Sequence, residues 1–305
     1  DIIILFPRNK GIFHYKTFKE APSKLKYYAH VDGSKIEYID RGHGPVIVLI
    51  HGTQSSSLEP YHVDQLVLSG FRVIVPSRPG YGETPYSFSA SPQLFASRLS
   101  HLMQMLDIDR YHVYGISAGG PTAIELASQN QCVLSLTLAA AVTSVVDFPY
   151  RDTVSRNVVQ PAFIALQYIM KQFIARAIHK HPFEATARMI QSTSVLALET
   201  IREEVSPYDI FLLKRVANQM AFGLGAQFDL KQRVSSEVLL GVSCPTYIIH
   251  SKNDKAVPVR HAHYAKRLIP HAQLTILNSP GHLIWVGRQA RKSERQIERF
   301  IRFNS

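Results

Sequence analysis

One stretch restricts the possible folds more than any other. From Arg110 to Gln129 the chain reads RYHVYGISAGGPTAIELASQ: an apolar run of strand character, the pattern G-I-S-A-G, then a helix-length segment opening on Pro121. Glycine weakens both strands and helices, so Gly115, Gly119 and Gly120 need a reason to be there. Either they form a loose turn beside an incidental Ser117, or the chain bends sharply to display that one hydroxyl. The bend is the better reading. A serine on a turn that tight takes strained dihedrals, and neighbours larger than hydrogen would clash. Pro121 suits the first turn of the following helix, where amide hydrogens lack intrahelical partners.

The rest of the chain repeats the same strand-to-helix rhythm. KYYAHVDG and KIEYIDRG alternate like two half-exposed strands joined at Asp32-Gly33, a hairpin signal. PVIVLIHG is continuously apolar, as a strand buried on both faces should be. FRVIVPSRPG, RYHVYG, VLSLTLAAAV, CPTYIIHSKND and AQLTILNSPGH follow as further strands, separated by helical patterns. This alternation predicts an α/β fold, a mostly parallel sheet with helices on both faces. From about Asp147 to Glu237 only helical patterns occur, punctuated by Pro161, Pro182 and Pro207. The expected organisation is an N-terminal extension over 1–24, a core over 25–146 and 238–305, and a helical cap inserted over 147–237. Such an insert would cover the carboxyl edge of the sheet, where ligands bind in folds of this kind.

Composition narrows the function classes. Across 305 residues, 46% hydrophobic and 19% charged content is that of an ordinary globular protein. Lys and Arg exceed Asp and Glu by 34 to 23, a net charge of +11. The excess allows a weak contact with an anionic membrane surface. No basic stripe is interleaved with aromatics, so no nucleic-acid partner is expected. The densest basic stretch, RQARKSERQIER, includes Glu294 and Glu298 and reads as the solvated face of a terminal helix. Cys132 and Cys244 are expected to be buried thiols. His261, His263 and His271 lack nearby carboxylate or thiol partners and are expected at the surface, not on a metal. A cytoplasmic location is expected. The alternative is tethering or export through a segment upstream of Asp1. The oligomeric state is left open.

A serine hydroxyl becomes a nucleophile only when a base takes its proton. Asp254 follows the strand CPTYIIHS, and His282, in NSPGHL, follows the next one. Ser117, Asp254 and His282 therefore all fall at carboxyl ends of strands, on one rim of the sheet. Asp147 is the rival acid. Acyl transfer also needs donors for a developing oxyanion. The amide of Ala118 sits where the helix begins. The second donor is sought in HGTQSSS, at the amide of Thr53 with its hydroxyl as an addition; a plain strand-ending turn fits HG as well.

With these pieces in place, residues from about Leu25 to Phe300 resemble the α/β-hydrolase superfamily, specifically its capped, single-domain serine hydrolases. LIHGTQ, SRPGYGETP, YGISAGG, HSKNDKAVP and SPGHL carry the likeness. The resemblance implies an eight-stranded sheet, Ser117 on a nucleophile elbow, Ser117, Asp254 and His282 as a triad, and Thr53 and Ala118 as oxyanion donors. Similar dehalogenases and epoxide hydrolases carry aspartate at the elbow, so serine argues against both activities. HGTQSSS departs from the HG-x-x-G and HGGG patterns of many esterases and lipases. Arg78 reads as a salt-bridging scaffold residue. The implied activity is hydrolysis of a small or medium carboxylic ester through an acyl-enzyme, with no cofactor or metal. Phe163, Ile164, Tyr168, Phe173, Met189 and Phe211 are candidate cavity walls. The alternatives are carbon–carbon bond hydrolysis, with Arg176, Arg188 or Arg215 holding a substrate carboxylate, and a ligand-binding receptor with negligible turnover.

Overall fold

A computed structural model describes residues 2–7, 13–18, 26–87, 89–144, 160–221 and 223–305. In chain order, β1 (Ile2–Pro7) and β2 (Phe13–Phe18) pair antiparallel as a separate two-stranded sheet. β3 (Lys26–Val31) and β4 (Ser34–Arg41) form a hairpin in which Asp32 and Gly33 take φ of 47° and 72°. Two successive left-handed residues match the twist of the strands they join. Next come β5 (Val46–Ile50), α1 (Val63–Leu68), β6 (Arg72–Pro76), α2 (Pro92–Met105), β7 (Tyr111–Ile116), α3 (Gly120–Gln129) and β8 (Val133–Ala139). The described part of the insert is helical: α4 (Gln160–Lys180), α5 (Pro182–Ser192), α6 (Leu198–Glu204), α7 (Pro207–Gln219), α8 (Gly225–Lys231) and α9 (Ser236–Leu240). β9 (Thr246–Ser251), α10 (Arg260–Leu268), β10 (Gln273–Leu277) and α11 (Ala290–Phe303) complete the chain.

The main sheet has eight strands in the order β10-β9-β8-β7-β5-β6-β4-β3. Only β4 runs opposite to the other seven strands. This is the mostly parallel architecture the alternating pattern implies. Its central strands are mostly apolar because each feeds two cores. In β5, Val48 and Ile50 pack into one core while Ile47 and Leu49 pack into the other, the two-residue alternation of a strand covered on both faces. One core packs α2, α3 and α10 against the sheet; the other is closed by α1, α11 and helices of the insert. Among the described residues no helix is long and apolar enough to cross a membrane.

Several expectations need correction. Cys132 is exposed, because it lies in the turn between α3 and β8, where its amide bonds to the Asn130 side chain. Cys244 is half-buried, and burial pushes its thiol up to about 11. His263 and His271 are at the surface, but His261 is fully buried. Burial and the neighbouring Arg260 bring the His261 imidazole down to about 4, and its ring accepts from the Thr143 amide. Glu294 is also buried, on the inner face of α11. Asp147 falls outside the described residues.

A buried carboxylate ties the loops after β5 and β6 to β4. Glu37 is fully buried and accepts from the hydroxyls of Ser57 at 2.6 Å and Ser77 at 2.7 Å, from the Lys26 ammonium at 2.9 Å and from the Glu83 amide at 3.1 Å. Burial alone would raise its pKa, but the hydroxyls and Lys26 outweigh it and hold the carboxyl below its ordinary value. A depressed folded pKa stabilises the fold above the unfolded value of 4.5; that stability is lost as pH falls through the folded value. Glu37→Gln should cost about 1–3 kcal/mol in urea denaturation at neutral pH. The difference from wild type should shrink as the pH is lowered below 4.5.

Candidate active site

Ser117 sits on the single turn of 3-10 helix that joins β7 to α3, with φ at 50°. That is a left-handed conformation a serine adopts only when its surroundings impose it. A side chain at Gly119 would collide with the carbonyl oxygens of Ile50 and His51, and one at Gly115 would lie 2.6 Å from the Ala123 Cβ. The glycines are therefore required by close backbone approach, and the hydroxyl is left part-exposed at the carboxyl edge of the sheet.

His282 lies in the loop after β10 and Asp254 in the loop after β9. The Ser117 Oγ stands 2.9 Å from the His282 Nε2, and the His282 Nδ1 stands 2.6 Å from the Asp254 Oδ2. A carboxylate accepts, so the Nδ1 carries the proton and the Nε2 is free to accept from the serine. Asp254 is buried, which alone would raise its pKa; the charge on His282, with bonds from His250 and His282, holds it below the ordinary value. Its other oxygen accepts from the Val257 amide at 2.8 Å. The arrangement can move a proton off the hydroxyl and hold the resulting imidazolium.

Sequence reasoning missed His250. Buried on β9, it donates from its Nε2 to the Val257 carbonyl at 2.7 Å and lies 3.2 Å from the Asp254 Oδ2. It also missed a short strap from the insert. Val195 donates to the Asn253 carbonyl, Lys255 to the Thr193 carbonyl and His282 to the Thr193 carbonyl, while the Ser194 hydroxyl bonds the Pro280 carbonyl. The loops bearing Asp254 and His282 are thus held by one three-residue strap, with the Thr193 carbonyl bonded to both. Nothing in the local sequence marks Thr193 and Ser194, since they act through backbone atoms and one small hydroxyl.

The expected oxyanion peptides are each anchored at the carbonyl end. The Ser117 carbonyl accepts from the Val142 amide at 2.9 Å. The Gly52 carbonyl accepts from the Arg78 Nη2 at 2.9 Å and from the His51 Nδ1 at 2.7 Å. His51 can donate there because its Nε2 accepts the Arg78 amide at 3.0 Å. Burial and then Arg78 push the His51 pKa well down, so the ring is neutral. In a trans peptide the N–H points away from its carbonyl, so these contacts orient the amides of Ala118 and Thr53. Thr53 and Ala118 line the same cavity as Ser117 and His282. The Thr53 hydroxyl is not an added donor: it bonds the Asp229 carboxylate at 2.8 Å. Asp229, on α8, also accepts from Arg78 at 2.5 Å, Tyr81 at 2.6 Å and Gln232 at 2.8 Å. Arg78 is fully buried against it, which suits a scaffold role.

The cavity over these groups holds about 530 Å³ and is walled by Tyr61, Met170, Ile174, Met189, Val216 and Trp285, among others. Tyr61 and Trp285 stack at 4.9 Å. Of the expected wall residues, Met189 lines it; Tyr168, Phe173 and Phe211 are exposed, because they lie on outward faces of α4 and α7. The Phe163 and Ile164 side chains fall outside the described residues. Arg176 and Arg188 are exposed, Arg215 pairs with Asp64, and no Lys or Arg is among the described lining residues.

Three comparisons bear on this geometry. The sequence model of the alpha/beta hydrolase fold matches residues 45–286. An uncharacterised hydrolase of Bacillus subtilis, YcgS, is 33% identical over 265 residues, covering 85% of this chain and 92% of its own. The 2-hydroxy-6-oxononadienedioate/2-hydroxy-6-oxononatrienedioate hydrolase 2 of Pseudomonas putida is 24% identical over 267 residues, covering 81% and 85% respectively. Among solved structures, an alpha/beta hydrolase fold protein from Nakamurella multipartita superposes with a TM-score of 0.77 at 21% identity, covering 92% of this chain and 100% of that one.

Gly119→Ala should be poorly tolerated, since the new methyl group meets fixed strand-end carbonyls. Calorimetry should show a melting temperature lowered by several degrees, equivalent to a loss of about 1–3 kcal/mol. A variant as stable as wild type would mean the elbow is looser than described.

Proposed function

The chain belongs to the alpha/beta hydrolase fold family, and from that premise we propose that it hydrolyses small or medium carboxylic esters through an acyl-enzyme. The observation that carries this reading is the 2.9 Å contact from the Ser117 Oγ to the His282 Nε2, with Asp254 behind the imidazole and an apolar cavity in front. In the proposed reaction Ser117 attacks the ester carbonyl while His282 takes its proton. Asp254 holds the tautomer and stabilises the imidazolium. The carbonyl oxygen becomes an oxyanion held by the amides of Ala118 and Thr53. Collapse expels the alcohol, which receives its proton from His282. Water, deprotonated by the same imidazole, then attacks the acyl-enzyme, and the acid leaves as Ser117 is reprotonated.

The Pseudomonas putida relative supports a second reading, since its named substrates are dicarboxylates. A dianion needs cationic partners in a cavity that excludes water. The described lining residues offer none, and Arg78, which pairs with the lining residue Asp229, is already engaged by it. An uncharged ester fits this lining better. A receptor without turnover would not need the serine held on the imidazole in a left-handed conformation.

Fluorophosphonate labelling and turnover of short-chain nitrophenyl esters test the proposal together. Wild type should do both. Ser117→Ala should lose labelling, and kcat should fall by about 10⁶-fold. Turnover that survives the substitution would remove Ser117 from the mechanism. Asp229 generates a separate expectation. Asp229→Asn keeps the shape but leaves the Arg78 charge without a counter-ion, so the Gly52–Thr53 peptide loses its fixed orientation. Stability should fall by about 3 kcal/mol. Steady-state kinetics on the folded variant should show kcat lowered by about tenfold or more, with KM less affected.

A further inference from the structure

Helix α4 presents an outward face rich in bulky apolar groups. Tyr168, Ile169 and Phe173 are 61%, 49% and 68% exposed, and Arg176 and Lys180 stand on the same side at helical spacing. The opposite side packs on α5 and α7, where Ile178 is buried. Large apolar groups gathered on one exposed face mark an interaction surface. Charge selects the partner. Between Gln160 and Lys180 there is no acidic residue, while Lys171, Arg176 and Lys180 are basic, in a chain of net charge +11. A second copy would set these cations against their own counterparts. The segment before β3 is itself more basic than acidic, so it is opposed by the same repulsion. Apolar side chains mixed with cations and free of acids match an anionic lipid interface.

We propose that this face of α4 is a contact site for an anionic lipid bilayer. Ile169 and Phe173 enter the boundary between headgroups and acyl chains, and Arg176 and Lys180 lie among the phosphates. Met170, which is both exposed and part of the cavity wall, carries the cavity out to that surface, and Ile174 continues the wall inward. The substrates are then amphiphilic esters drawn from the lipid surface. This last step rests on the ester-hydrolase reading; the lipid contact does not.

The test is co-sedimentation of the full chain with vesicles of phosphatidylcholine containing about a third phosphatidylglycerol, against phosphatidylcholine alone. Wild type and Ser117→Ala should bind the anionic vesicles equally, and at least about tenfold more tightly than the neutral ones. The double substitution Ile169→Glu, Phe173→Glu should weaken binding by about tenfold or more, with turnover of a water-soluble short-chain ester unchanged. Should that variant fold poorly, Phe173→Trp gives an independent readout, a blue shift of its emission on adding anionic vesicles. The proposal is overturned by wild type that ignores anionic vesicles, by a double variant that binds as wild type does, by a Phe173→Trp emission that does not move, or by a wild-type dimer that the double variant dissociates. Vesicle binding without any ester turnover would sink the hydrolase reading and leave the lipid contact standing.

Discussion

The close approach of two backbones at the end of β7 is the constraint on which the site depends. The turn after Ile116 must pass against the carbonyls of Ile50 and His51, and it does so only because position 119 has no side chain. Once the turn is that tight, Ser117 is driven to a φ of 50°, its hydroxyl faces the loop after β10, and its carbonyl is captured by Val142. The same compression brings Gly52 against the Ser117 side chain, with room for a Cβ only 3.1 Å from the serine Cβ. The proposed nucleophile and the neighbouring peptide amides are thus placed by one steric event. The strain is local, and the eight strands packed on two cores absorb it.

How much of this can be read in the chain depends on whether a feature is recorded in side-chain chemistry or only in backbone contacts. The sheet was legible because strands buried on both faces are apolar at nearly every position, as VIVLI is throughout and YHVYGI is apart from His112. The glycines around Ser117 were legible because steric necessity leaves few other residues possible. Asp254 and His282 were legible from their places after strands, which topology converts into a common rim. Asp229 was not. It lies in a helix with no motif of its own, and its importance arises from Arg78, Tyr81 and Thr53 converging on it from distant parts of the chain. His261 was misjudged because a histidine at a helix start reads as polar, whereas this one is neutral and bonded inside the protein. The expected walls Tyr168, Phe173 and Phe211 failed for a related reason. Helical periodicity shows that a face is apolar but not whether that face meets a cavity or solvent.

The polar network under the proposed oxyanion peptides shows how buried charge can serve orientation. Arg78 and Asp229 cost desolvation that a buried pair repays only when its remaining donors and acceptors are used. Most are used here. Asp229 takes bonds from four side chains, and Arg78 spends further protons on the carbonyls of Gly52 and Ala118. The outcome is a peptide whose dipole is fixed before any substrate arrives. Preorganised dipoles of this sort spare the reorganisation that water would need around a developing charge.

The insert is fastened to the core at two places beside the cavity. Thr193 and Ser194 stitch it to the loops bearing Asp254 and His282, through backbone bonds and the bond to Pro280. Asp229 stitches it to the loop bearing Thr53 and, through Arg78, to the turn bearing Ala118. A rigid swing of the whole insert away from the sheet would break both attachments and disturb every group proposed to act on the ester. Opening confined to α4 would break neither, because its described packing is on α5 and α7 and its Lys171 donates to the Met220 carbonyl. An opening that left both attachments intact would therefore lie beside α4, along the wall that carries Met170 and Ile174.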